Sequence, residues 1–145
     1  MNTVRHVLEV KGKDIWDITP EATVFDALRL MADKDVGSLL VMEHGKLVGI
    51  LTEREYARQV ILHGRSSKET RVREIMSTDL FPIHPEQTME ECMDVMTHKH
   101  VRYLPVMEDG ELLGVISIGD VVSSIIHRQR QTIKSLEDRM TKKPG

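Results

Sequence analysis

The sequence predicts an α+β fold made of one β-α-β-β-α unit written twice. The two copies are expected to pack through their sheets about a pseudo-two-fold axis, with an extended C-terminal helix after them. Three observations carry this expectation. Residues 14–61 align with 79–126 at a fixed offset of 65 positions, without a gap. Within each copy, apolar residues recur first at helical spacing and then in two short β-rich runs. Beyond the second copy, apolar steps of three and four continue to Met140.

Identical pairs mark the duplication throughout: Ile18/Ile83, Pro20/Pro85, Thr23/Thr88, Met31/Met96, Val36/Val101, Leu39/Leu104, Val41/Val106, Gly45/Gly110, Leu47/Leu112 and Gly49/Gly114. Each copy opens on a short apolar segment ending in a Pro-containing turn, "ITPEAT" or "IHPEQT". Thr23 or Thr88 then caps a helix, with an acid three residues on at Asp26 or Glu91. Positions 24, 27, 28 and 31, and their counterparts 89, 92, 93 and 96, share one apolar helical face. Two strands follow, joined by "EHG" or "EDG", which signals a hairpin. A second helix begins after Thr52 or Ser117. The boundaries read as an N-terminal segment 1–13, repeat one 14–64, a linker 65–78, repeat two 79–126, and a helical extension with its tail 127–145. Neither repeat alone covers both faces of its sheet, so each is expected to need the other.

Composition narrows the function classes. The 145 residues are 40% hydrophobic and 30% charged, with 3% aromatic, so aliphatic side chains and nine Met must fill the interior. No apolar run approaches the roughly 20 residues that cross a bilayer. The first twelve residues lack the apolar centre of a signal peptide. A lone cysteine, Cys92, forms no intrachain disulfide and fits a reducing cytoplasm. The net charge of −3 gives no footprint for nucleic acid or an anionic membrane.

The stretch "GVISIGD" holds the main candidate for chemistry. Ser117 and Asp120 stand three apart where an apolar run gives way to a helix. They have two uses. The pair can close a capping box, the hydroxyl taking the Asp120 amide and the carboxylate taking the Ser117 amide. A hydroxyl and an acid at a helix N-terminus can instead hold the diol of a ribose. Copy one has Thr52 and Glu55 at these places. Thr-x-x-Glu is expected to make the better capping box, since Glu reaches back across the turn more easily than Asp.

The segments "VRYLPVMEDGELLGVISIGDVV" and "VGSLLVMEHGKLVGILTEREYA" resemble the CBS domain, the cystathionine β-synthase type of module, in tandem as a Bateman module. The resemblance covers residues 14–126. Its sharpest motifs are H-x-R-x-L-P-V and a hydroxyl-x-x-Asp after a Gly-led strand. The stretch "GILTEREYARQVILHGRSSKETRVREIM" is similar to a small stand-alone subgroup of bacteria and plant organelles. The resemblance implies a regulatory module, often homodimeric. It would bind an adenosine-containing ligand (AMP, ADP, ATP, NAD or S-adenosylmethionine) in clefts between the repeats.

It further implies that Asp120 grips both ribose hydroxyls, with Ser117, Ile118 and Gly119 in the same turn. Glu55 departs from that pattern, so the copy-one cleft binds differently or stays empty. Arg102 is expected to reach phosphate from the edge it shares with His100 and Val101. His100 stacks or faces solvent, and Tyr103 covers a base or fills core. Adenine is expected near Ile18, Thr19, Ile83 and His84.

Phosphates need cations, and residues 54–73 carry Arg54, Arg58, Arg65, Lys68, Arg71 and Arg73 against Glu55 and Glu69, a local net charge of +4. Arg54 and Arg58 lie one helical turn apart, and with that helix's N-terminus they suit an anion. Ser66 and Ser67 add hydroxyls nearby. A solvated linker with scattered charge is the competing account of the same residues.

Other constellations carry less. The "HKH" run at 98–100 has no Cys or Asp beside it and reads as surface rather than as a metal site. Cys92 shares an apolar face with Met89, Met93 and Met96 and reads as core. No Gly-rich phosphate loop and no Ser/His/Asp grouping can be nominated, so the chain is not expected to be an enzyme, and no metal is required. From Ile126 the seam runs through Gln129, Ile133, Leu136 and Met140, suiting a second copy of the same helix or a fold-back along repeat one. The tail "TKKPG" is expected to fray. The target is expected to be met in trans, through ligand-dependent conformational change. The alternative is a ligand-independent protein-interaction module.

Overall fold

A computed structural model describes residues 2–12 and 14–141. The chain divides into two compact units: Asp14–Leu80, built on repeat one, and Met1–Lys13 with Phe81–Gly145, built on repeat two.

In the first unit a three-stranded sheet has the order β1-β2-β3, with β1 Asp17–Ile18, β2 Ser38–Glu43 and β3 Lys46–Thr52. β1 runs parallel to β2, while β2 and β3 form an antiparallel hairpin with a register shift at Val41/Met42. His44 and Gly45 close the hairpin with φ of 53° and 77°. A two-residue type I′ connection needs positive φ at both places, which is why the second is glycine. Helix α2, Val24–Lys34, starts at Thr23, whose hydroxyl accepts from the Asp26 amide at 3.1 Å. It buries Val24, Ala27 and Met31, the face the spacing predicts, against Leu39, Val41 and Leu51. Helix α3, Glu53–Tyr56, runs on into a π-helical turn over Ala57–Ile61 that buries Val60.

The second unit repeats this plan with one subtraction. Helix α5, Met89–Lys99, is capped by Thr88 and Glu91 in a reciprocal box. β4 Tyr103–Glu108 and β5 Glu111–Ser117 pair antiparallel across Asp109 and Gly110. The first strand expected in repeat two is reduced to one parallel bridge between Ile83 and Val106. Proline is the reason. In repeat one the Leu40 amide donates to Trp16 O at 3.1 Å, but its counterpart Pro105 has no N–H to offer Phe81. Only the bonds around Ile83 survive, from its amide to Pro105 O and from the Met107 amide to Ile83 O, both 2.9 Å. Helix α6, Ile118–Thr141, extends as far as the seam predicts. Residues 142–145 of the expected frayed tail lie outside the described residues.

Two short helices exchange places relative to the sequence order. α1, Val4–Lys11, precedes repeat one but packs in the unit of repeat two, where Val4 and Leu8 are buried. α4, Val72–Ile75, precedes repeat two but buries Val72 and Ile75 in the core of repeat one. Their docking bonds are equivalent. The Val4 and Arg5 amides donate to Gln87 O and Pro85 O, both at 2.8 Å; the Val72 and Arg73 amides donate to Ala22 O and Pro20 O, both at 2.9 Å. Gly114 makes room for this: a Cβ there would stand 2.9 Å from Leu8 Cδ2. Its counterpart Gly49 would meet Met76 Sδ at 2.8 Å and Ser77 O at 3.0 Å. The cover each sheet lacked within its own repeat therefore includes a helix from elsewhere in the chain.

Candidate functional site

β5 ends at Ser117 and α6 begins at the next residue, so the hydroxyl and the acid meet at the first turn of a long helix. Ser117 Oγ accepts from the Asp120 amide at 3.1 Å, and Asp120 Oδ2 accepts from the Ser117 amide at 2.8 Å. The box is closed. The same Oδ2 also accepts from Lys11 Nζ at 2.7 Å, and Lys11 Nζ donates in addition to Val115 O at 3.0 Å. Among the described residues nothing donates to Asp120 Oδ1, and the side chain keeps 20% of its surface exposed. Among those residues the carboxylate is thus engaged through one oxygen only.

Copy one behaves in the opposite way to the expectation. Thr52 Oγ1 accepts from the Glu55 amide at 3.1 Å, but the Glu55 carboxylate does not return to the Thr52 amide. Ser-x-x-Asp makes the full box, and Thr-x-x-Glu makes half of one. The shorter Asp holds its carboxylate close over the turn, where Lys11 and the Ser117 amide converge on one oxygen.

The basic stretch 54–73 is largely spent on local pairing. Arg65 meets Glu74, Arg71 donates to Glu21 O, and Arg73 lies between Glu21 and Glu43. Lys68 sits 4.9 Å over the Phe25 ring. Arg54 on α3 and Arg58 on the π-helical turn are exposed, and neither has an ion-pair partner among the described residues. Ser66 and Ser67 use their carbonyls to hold the loop, accepting from Thr70 Oγ1 at 2.7 Å and from the Phe25 amide at 2.9 Å respectively. As a phosphate cluster the stretch comes down to Arg54 and Arg58.

The remaining candidates take ordinary structural places. His100 terminates α5 in the left-handed region, φ 56°, as Asp35 does for α2 at φ 54°. Val101 packs on the core of its unit, and the Arg102 carbonyl accepts from the Ile118 amide at 2.8 Å while its side chain is exposed. Tyr103 is half-buried opposite Ser117 in the β4/β5 ladder. Ile118 and Gly119 are exposed in the first turn of α6. Ile83 is buried at its bridge, and His84 is tied into its own turn by Glu86 and Gln87. Ile18 is half-buried at the end of β1, with Thr19 exposed beside it.

Sequence reasoning missed Lys11 and the groove it borders. A space of about 780 Å³ runs between α1 and α6 and is lined by Thr3, His6, Lys11, Asp120, His127 and Arg128 among others. Arg128 is held by Glu90 at 3.1 Å. Residues 120, 127 and 128 fall at the start of the second helix of repeat two and on its expected extension, but neither a helix over Val4–Lys11 nor a groove between it and α6 was foreseen.

Cys92 is buried in the core, where desolvation first and then the charges of Glu91 and Glu90 push its thiol up to about 12. His98 is used locally, its Nδ1 lying 2.8 Å from Asp94 O. Among the described residues no group of three or more His, Cys, Asp or Glu is placed to hold a metal. No helix of the described residues is long and apolar enough to cross a membrane.

Comparison with known proteins agrees with this architecture. The family model described as the CBS domain matches twice, over residues 7–61 and 72–127. A mitochondrial CBS domain-containing protein of Arabidopsis thaliana, CBSX3, is 38% identical over 144 residues, covering 92% of this chain and 69% of that one. A solved structure from Burkholderia ambifaria, provisionally described as a signal-transduction protein with CBS domains, is 46% identical with a TM-score of 0.83. The match covers 88% of this chain and 96% of that one. The hexameric CBS-CP12 protein of bloom-forming cyanobacteria is 29% identical with a TM-score of 0.75, over 84% of this chain and 70% of that one.

Proposed function

Because the chain belongs to the CBS-domain family and carries two copies of its module, we propose that it is a regulatory, signal-transduction protein that binds an adenosine-containing nucleotide. NAD or AMP is favoured, with ATP and ADP as further ligands of the same class, and no metal is required. The observation that carries the reading is Asp120. Its carboxylate stands at the rim of the α1–α6 groove with Oδ1 unoccupied by any described residue. A cis-diol donates two hydrogen bonds, and an ionised carboxylate is the acceptor that makes both charge-assisted. Binding would act by favouring one conformation or dimer arrangement over another, which requires different affinities for the two. The output is control of a partner protein in trans, and no catalytic step is assigned to this chain. The cytoplasm is the compartment we take, from the single, unpaired Cys92.

Thermal melts with AMP, ATP, NAD, NADH and S-adenosylmethionine test the reading, since a ligand that binds the folded state raises its stability by mass action. A rise with a phosphate-bearing adenine nucleotide that is lost in Asp120→Ala is expected. No rise with any of the five at millimolar concentration removes the reading.

A homodimer belongs to the same proposal. α6 exposes Val122, Ile126, Ile133, Leu136 and Met140 at its apolar steps, and a second copy of the same seam would cover them. The alternative, a ligand-independent interaction module, draws support from the closed Ser117–Asp120 box and from that seam. It predicts no nucleotide response and a partner whose capture needs the distal half of α6.

A further inference from the structure

Asp120 Oδ2 already accepts two hydrogen bonds, from the Ser117 amide and from Lys11 Nζ. A carboxylate oxygen offers about two lone-pair sites, so this one is full. A ribose diol held with one hydroxyl on each carboxylate oxygen needs Oδ2 as well as Oδ1. The Ser117 amide is fixed by the end of β5 and the start of α6, whereas Lys11 sits on a flexible four-carbon stem at the last residue of α1, with 33% of its side chain exposed. Lys11 is the group that has to leave.

Where its ammonium goes determines what binds. The groove beside it is lined by His6, His127 and Arg128 and contains Asp120 as its one acidic lining residue among those described. Arg128 is partly neutralised by Glu90. A ligand that takes Asp120 with its diol and places a phosphate in the groove gives Lys11 a new anion within reach. A ligand with the diol alone strands that charge.

We infer that Lys11 is a specificity-determining residue that makes the Asp120 site select phosphate-bearing nucleosides over bare ones, by exchanging Asp120 for the ligand's phosphate. The inference rests on the nucleotide-binding reading above and adds the direction of selectivity. Copy one has no such arrangement, since Glu55 has no cation partner among the described residues.

Titration calorimetry of the full chain with AMP and with adenosine tests it, comparing the wild type with Lys11→Met and Lys11→Arg. In Lys11→Met, the preference for AMP over adenosine is expected to fall about tenfold, the loss of one charge-assisted contact to phosphate that adenosine never makes. Adenosine is expected to bind more tightly than to the wild type, because no ion pair has to break. Lys11→Arg should restore most of the preference for AMP. A purely structural Lys11 would weaken both ligands together, and that result overturns the inference. So does an unchanged AMP-to-adenosine ratio in a Lys11→Met protein that still binds AMP through Asp120. A wild type that binds neither ligand overturns the nucleotide reading itself. Melting of the unliganded variants separates misfolding from altered binding, and Lys11→Gln, which keeps a donor without the charge, repeats the test should Lys11→Met fail to fold.

Discussion

Arg5 and Arg73 hold the same place in two different units. Arg5 reaches Glu86 at 2.7 Å and Glu108 at 2.8 Å, and Arg73 reaches Glu21 at 2.7 Å and also Glu43. Glu21 and Glu86, like Glu43 and Glu108, are 65 positions apart, matching the repeat. Each guanidinium thus clips its short helix, α1 or α4, to the helix-entry turn and the hairpin end of the unit it joins.

These clips are exposed, so their contribution is small and sensitive to salt. Arg5→Met and Arg73→Met should each lower the melting temperature by no more than a few degrees at low ionic strength. The difference from wild type should shrink as sodium chloride is raised, measured by circular dichroism.

Gly49 and Gly114 should not tolerate a methyl group equally. At Gly49 the new Cβ meets backbone, Ser77 O at 3.0 Å, as well as Met76 Sδ; at Gly114 it meets only the end of Leu8. Gly49→Ala is expected to cost about 1–3 kcal/mol, and Gly114→Ala less, because a leucine terminus can turn aside. Urea unfolding monitored by fluorescence of the single Trp16 reads the unit that contains Gly49, and circular dichroism reads both.

The two hydroxyl–acid pairs should separate in stability. Ser117→Ala and Thr52→Ala each remove a cap acceptor and should cost about 1 kcal/mol. Glu55→Gln should be close to neutral, since its side chain bonds no amide at the cap. Asp120→Asn should be destabilising, since Asp120 serves both the cap and Lys11. Matched costs for Glu55 and Asp120 in urea titrations would contradict the geometry.

Glu74 supplies a pH dependence. The Arg71 amide first, and the Arg65 guanidinium with it, hold this carboxyl below the usual carboxylate range. A carboxyl depressed in the folded state stabilises above its unfolded value of about 4.3, and that gain is lost as pH falls through the lower folded value. The melting temperature of Glu74→Gln should therefore lie below wild type at neutral pH and converge with it in acid.

The α6 seam can be tested apart from any ligand. Ile133 and Leu136 are 55% and 52% exposed in the single chain. Ile133→Glu should convert a dimer into a monomer in sedimentation velocity while leaving the melting of the units nearly unchanged. A wild type that sediments as a monomer at all concentrations removes the dimer.

Much of the molecule was legible as sequence because its signals are local. Thr23 and Thr88 announce helices through residues three positions away, His44–Gly45 and Asp109–Gly110 announce hairpins, and periodicity alone marks the buried faces of α2 and α5. The duplication supplied the element order within each repeat, but not α1 or α4, which fall in the segments read as an N-terminal stretch and a linker, and not the loss of the first strand of repeat two, although its proline stands in the chain.

Tertiary structure decided what depends on residues far apart. Lys11 and Asp120 are separated by 109 positions and Arg5 and Glu108 by 103, so no spacing rule connects them. Which unit α1 or α4 joins, whether Arg73 is free for a ligand, and which carboxylate oxygen is already occupied are settled by packing. A side chain's charge is written in its identity, but whether that charge is available depends on the neighbours that folding brings to it.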